Sequence, residues 1–137
     1  SGFSGIHSSL VFGKYEEGLK KGDKLIIETV FIKVKDIYSS KKWYQNTLDL
    51  SLKWEDLEKK VVAFDCGETD LTIVQEKNYV PYNDATFNIL VDDIESFHNN
   101  LINKNVPLSK VQQWNDIYYF DIQDLDGNYL QIVSKII

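Results

Sequence analysis

The chain reads as two copies of one pattern. With an offset of 57 residues, Thr29 falls over Thr86, Ile32 over Ile89, Val34 over Val91, Asp36 over Asp93, Ile37 over Ile94 and Ser39 over Ser96. Farther along the offset drifts: Phe64-Asp65 falls over Phe120-Asp121 at 56, and the run Leu71 to Val74 falls over Leu130 to Val133 at 59 after a small insertion. The matches sit at helix caps and apolar strand positions, where a duplicated strand–helix–strand–strand unit would keep them. Each unit has a helix with one apolar face and a sheet that needs covering, so each helix should lie on one face of its own strands.

The local signals agree with that frame. An apolar run from Ile26 to Val34 reads as a strand, and Asp36 then serves as N-cap of a helix with Ile37, Ser40, Trp43, Tyr44, Thr47 and Leu48 on one face. The runs Val61 to Phe64 and Leu71 to Val74 read as strands. In the second copy a strand through Thr86 to Val91 precedes the cap Asp93, and Ile94, Phe97, His98 and Leu101 follow at helical spacing. Two closing strands, about Ile117 to Ile122 and Tyr129 to Val133, meet across Asp126-Gly127-Asn128, a strong turn signal. Shorter strands are expected near Leu50 to Trp54 and Ser109 to Trp114. The domain therefore spans residues 25–137, with modules at about 25–77 and 84–135. Residues 1–24, rich in Ser, Gly and Lys, form an N-terminal extension read as a processed or appended end.

Composition removes several classes of function. The 15 basic and 21 acidic side chains give a net charge of −6, which disfavours a phosphate-tracking nucleic-acid binder or an anionic-membrane binder. A cationic or neutral ligand fits better. One cysteine, Cys66, excludes an internal disulfide and a Cys-based zinc cluster. No run of about 18 apolar residues is present and the start lacks a signal-peptide pattern, so a cytoplasmic location is expected.

Strand alternation then sorts the side chains. Val30, Ile32 and Val34 belong under the first helix, as do Phe87, Ile89 and Val91 under the second. Thr29, Phe31, Lys33, Thr86, Asn88 and Leu90 point to the far face, joined there by Thr72, Val74, Tyr129, Gln131 and Val133. This mixture of aromatic, aliphatic and hydrogen-bonding groups suits the wall of a small-molecule pocket. It suits equally a solvated sheet face or a dimer interface.

Several segments carry a family resemblance: Thr29 to Asp36, Ser40 to Tyr44 with its paired aromatics, Leu48-Asp49-Leu50, Leu90 to Ile94, and Phe120 to Asn128 with its Asp-Gly-Asn turn. Together they resemble the vicinal oxygen chelate superfamily of glyoxalases, bleomycin-resistance proteins, fosfomycin-resistance enzymes and extradiol dioxygenases. The resemblance implies an α+β fold of two tandem βαβββ modules whose curled mixed sheets surround a shared cavity, and a homodimer. It also implies metal ligands, His, Gln or Glu, at positions that map here to Thr29, Thr72, Thr86 and Gln131. Three hydroxyls and an amide are poor partners for a divalent ion. The expectation is therefore no metal, no cofactor and no catalytic residue, and in this respect the chain resembles the drug-sequestering bleomycin-resistance proteins.

The remaining candidates have structural roles to set beside functional ones. His98 reads as a structural helix residue, and Cys66 as an inert, buried thiol. Asp124, Asp126 and Gly127 fit part of a calcium loop, but Ile122 and Val133 occupy its first and last ligand positions, so the segment reads as a turn. Glu28 and Glu76 read as solvated carboxylates. Asp65 and Asp121 stand at matched positions, as anchors for a cation or partners for Lys33. Trp54 and Trp114, at equivalent places in the irregular strands, are expected to stack on a ligand or a dimer partner. The expected function is metal-independent binding of a small organic molecule, cationic or aromatic, such as antibiotic sequestration. Its lining is Thr29, Phe31, Lys33, Thr72, Thr86, Asn88, Tyr129 and Gln131, with Trp54 and Trp114 at the rim. The alternatives are a metal-dependent lyase, isomerase or dioxygenase of the same superfamily, and a protein-interaction module.

Overall fold

The computed structural model describes residues 24–136, so the apolar cluster expected in the N-terminal extension lies outside the described residues. The first module runs β1 (Thr29–Val34), α1 (Ile37–Thr47), β2 (Ser51–Asp56), β3 (Val61–Asp65) and β4 (Asp70–Gln75). The second repeats it as β5 (Asn88–Leu90), α2 (Ile94–Asn103), β6 (Gln112–Trp114), β7 (Ile117–Gln123) and β8 (Tyr129–Lys135). Each module makes a four-stranded mixed sheet, ordered β1-β4-β3-β2 and β5-β8-β7-β6. In both, the first strand pairs parallel with the last, and the other pairings are antiparallel. The duplication inferred from the sequence is thus a duplication of topology.

Both helices start where their caps place them. The Asp36 carboxylate accepts from Ser39 N at 2.9 Å and that of Asp93 from Ser96 N at 3.1 Å, each satisfying an otherwise open first-turn amide. Ile37, Ser40 and Tyr44 of α1 are buried, as are Ile94 and Leu101 of α2. Lys104, the residue closing α2, donates from Nζ to Asn46 O at 2.8 Å and Thr47 O at 3.0 Å, the carbonyl end of α1. A cation at a helix C-terminus answers both the open carbonyls and the dipole. Ile32, Val34, Tyr44, Phe64 and Ile73 from one module join Leu101, Phe120, Leu130 and Ile132 from the other in a single buried cluster.

Two strand ends differ from the periodicity. The apolar run starting at Ile26 does not pair until Thr29, because β4, its one ladder partner among the described residues, begins opposite Thr29 at Asp70. Leu25, Ile26 and Ile27 consequently stay 73%, 52% and 68% exposed. The second copy's strand shortens to Asn88–Leu90 for a related reason. The Tyr129 N–H is given to Tyr82 O at 2.9 Å, so the ladder with β8 opens only at Asn88↔Gln131. In β2 the register shifts between Leu52 and Trp54, and this bulge brings Lys53 to Asp70 on β4.

Candidate functional site

The outer face of the first sheet brings together two of the expected residues. Thr29 Oγ1 and Thr72 Oγ1 lie 2.6 Å apart, and Thr29 also donates to Asp70 O at 3.1 Å. Thr72 is only 2% exposed, so this hydroxyl pair is nearly closed to solvent. Beside it the buried Asp70 carboxylate takes Lys53 Nζ at 2.8 Å. That hydrogen bond is the main cause raising the Lys53 ammonium above its ordinary pKa.

The second sheet carries a different polar pair, one of amides. Phe31 lies opposite Thr72 on the first sheet, and their counterparts Asn88 and Gln131 lie opposite each other on the second. Asn88 Nδ2 donates to Gln131 Oε1 at 3.3 Å. Tyr129 and Gln131 are half-buried, whereas Thr86 and Asn88 are exposed. Lys33 is exposed and enters none of the ion pairs found among the described residues. Trp54 and Trp114 stand in β2 and β6, the outermost strands of their sheets, and are 46% and 64% exposed. Phe31 is 36% exposed.

A cavity of about 560 Å³ lies where the edge strands β1 and β5 face each other. Its apolar wall comes from Val30, Leu71, Phe87, Ile89 and Leu90, and its polar margin from Cys66 to Asp70 and Asn88. Of the expected lining only Asn88 stands on this wall. By alternation Val30 and Ile89 belong to the helix side of their strands and Asn88 and Leu90 to the far face, so the hollow lies in the gap between the sheets. Burial raises the Cys66 thiol above its ordinary pKa, with Asp70 adding to the effect, so the thiol on this wall is protonated and weakly nucleophilic at neutral pH.

The donor positions do not fit a divalent metal. Thr29 and Thr72 spend their hydroxyls on each other and on a backbone carbonyl, and Gln131 accepts from Asn88. Among the described residues no group of three His, Cys, Asp or Glu side chains converges closely enough to hold an ion. His98 is half-buried, its Nε2 2.9 Å from Ser109 O and its ring edge-on to Phe120.

The segment from Asp124 to Asn128, a turn by its sequence, also links the modules. Asp124, 5% exposed, accepts from Tyr44 Oη at 2.6 Å, from Asn128 N at 2.8 Å, from Asp126 N at 2.9 Å and from Asn128 Nδ2 at 3.0 Å. Asp126 accepts from Ser40 Oγ at 2.6 Å and from Lys35 N at 3.0 Å, and Asn128 Nδ2 reaches Lys33 O. The β7–β8 turn is therefore clamped onto β1 and α1 of the other module. Gly127 sits at φ +87°, a conformation that a side chain would strain. The Asp-Leu-Asp-Gly-Asn run itself was the signal. Its carboxylates are turn formers and, at the same time, acceptors for a buried tyrosine.

Two helix-backed four-stranded sheets of duplicated topology, sharing one buried core, define a paired βαβββ protein. Residues 26–132 match the family described as the Glyoxalase/Bleomycin resistance protein/Dioxygenase superfamily, and the chain belongs to it. Its structure is similar to that of a glyoxalase family protein from Bacillus anthracis, at TM-score 0.75 and 18% identity over 85% of this chain and 99% of that one. It is also similar to a lactoylglutathione lyase from Agrobacterium tumefaciens, at TM-score 0.68 and 17% identity over 83% of this chain and 96% of that one. A third similar structure is an antibiotic binding protein from Streptomyces, at TM-score 0.72 and 15% identity over 82% of this chain and 97% of that one. At these identities the likeness is one of fold. None of the curated proteins is similar enough to match. No helix among the described residues is long and apolar enough to cross a membrane.

Proposed function

We propose that the protein binds a small organic molecule, mostly apolar and neutral or cationic, without a metal. The observation carrying this reading is the cavity of about 560 Å³ between β1 and β5, whose wall is apolar and whose polar margin bears Glu68, Asp70 and Asn88 but no lysine or arginine. A wall of this kind binds by burial and is oriented by a few polar groups. Asp70 is already matched by Lys53, which leaves Glu68 as the free charge at the margin and favours a cationic end on the ligand. Burying about 200 Å² of ligand apolar surface contributes about 5 kcal/mol before the cost of association.

The expected lining on the outer faces, Thr29, Phe31, Lys33, Thr72, Thr86, Tyr129 and Gln131, belongs to the same proposal as a second contact surface for a larger ligand. Trp54 and Trp114 are then covered by a second copy of the chain, and the working form is a cytoplasmic homodimer. Antibiotic sequestration is the activity this describes. A lyase, isomerase or dioxygenase reading needs a metal held by other groups, and the threonine and amide positions offer none.

Two measurements test the proposal. Metal analysis of the purified protein should find less than stoichiometric zinc, nickel, manganese or iron, and chelator should leave the melting temperature unchanged. A thermal-shift panel of aromatic and cationic antibiotics should give stabilisation that Phe87→Ala and Ile89→Ala reduce. Stoichiometric tightly held metal, or stabilisation indifferent to both substitutions, defeats the reading.

A further inference from the structure

At one matched position the second module is hollow where the first is filled. Gln75 closes β4 opposite Val34, and Ser134 occupies the same place on β8, next to Val133, whose carbonyl takes the N–H of Val91. In the first module Gln75 Oε1 accepts the Ile37 N–H at 2.9 Å, closing the first turn of α1 with a side-chain carboxamide. Serine lacks that carboxamide. A cavity of about 560 Å³ lies at this place in front of α2, and Asp92, Ile94, Glu95, Val111, Tyr118 and Ser134 are on its wall.

Two hydrogen-bonding groups on that wall have no partner among the described residues. Ser134 is 3% exposed, and its hydroxyl, in none of the hydrogen bonds among the described residues, is open to the hollow, since no fully enclosed side-chain oxygen there lacks a partner. Asp93 accepts the Ser96 N–H, but no described acceptor takes the Ile94 N–H, the counterpart of the amide that Gln75 satisfies. An open amide at a helix start favours a partial negative charge. A full anion meets Asp92, Asp93 and Glu95 against the single Lys135, so an uncharged acceptor fits best. Val111 and the Tyr118 ring supply an apolar flank.

We propose that this hollow is a binding site for a small neutral molecule bearing a carboxamide. Its carbonyl oxygen accepts from the Ile94 N–H and the Ser134 hydroxyl, doing for α2 what Gln75 does for α1. The site is separate from the cavity between β1 and β5 and does not depend on it.

The test is amide-resolved NMR of the full chain titrated with benzamide, benzoate and benzylamine. Benzamide should bind with a Kd on the order of 1 mM, as a fragment of its size allows, and shift the amides of Ile94, Glu95 and Ser134 most. Benzoate should not bind there. Ser134→Ala should weaken benzamide by about 3- to 10-fold. Ser134→Gln should abolish binding and raise the melting temperature by about 2–4 °C, because the side chain restores the missing cap. If Ser134→Gln fails to fold, Ser134→Ala carries the test alone. The proposal is overturned if benzamide leaves the Ile94 amide unmoved, if benzylammonium binds there as well as benzamide does, or if Ser134→Ala binds benzamide as the native chain does.

Discussion

Tyr44→Phe isolates the clamp between the modules. It removes one oxygen and leaves the ring against Phe64, 5.9 Å between centroids, and against Trp43. The lost bond, 2.6 Å from Tyr44 Oη to Asp124 Oδ2, is one of four that the buried carboxylate accepts. A hydrogen bond to a charged group contributes about 1.5–3 kcal/mol, so the variant should lose about 2 kcal/mol and melt roughly 4–10 °C lower. The loss must depend on pH. Burial raises the Asp124 carboxyl above its ordinary range, against the hydrogen bonds that lower it. A group raised in the fold contributes stability that is full below its unfolded pKa and is lost as pH rises through the folded one. Removing the tyrosine donor raises Asp124 further, so the deficit of Tyr44→Phe should be larger at pH 7 than at pH 4. Tyr44 itself is held well above its ordinary pKa by burial and by Asp124, so it stays protonated throughout. Urea denaturation of Tyr44→Phe, Asp124→Asn and the double variant at both pH values gives the coupling directly. A deficit below about 0.5 kcal/mol at pH 7, or one that does not change with pH, would refute the account of this clamp.

Three further outcomes follow from the same geometry. Gln75→Ala should cost about 1 kcal/mol in urea denaturation, because Ile37 N–H then has no side-chain acceptor at the start of α1. Gly127→Ala should cost about 1 kcal/mol through backbone strain at φ +87°, since the added Cβ meets Pro81 Cβ only at 3.6 Å, an ordinary contact. Cys66 should react with iodoacetamide more slowly at pH 8 than a free cysteine, because burial raises its thiol and lowers the thiolate fraction, and the rate should climb further above pH 9. A ligand seated between β1 and β5 should slow that reaction again; an unhindered, fast-reacting Cys66 would count against the cavity wall described here.

Local chemistry made much of this protein legible from its residues. The 57-residue repeat fixed the order of elements, and Asp36 and Asp93 marked the helix starts, because a cap acts within a few residues of itself. Alternation sorted Ile32 and Val34 from Thr29, Phe31 and Lys33, because a pleated strand has period two whatever surrounds it. Tertiary structure decided the rest, since it depends on groups distant in the chain. Nothing local announces that Asp124 will meet Tyr44, 80 residues away, or that Thr29 will spend its hydroxyl on Thr72. Nor could periodicity show that β1 and β5 would leave a gap between their edges, which places the cavity beside the expected lining and keeps only Asn88 on its wall. Sequence patterns report which face of an element is apolar; how two such elements meet, and what space they leave, is settled by packing between them.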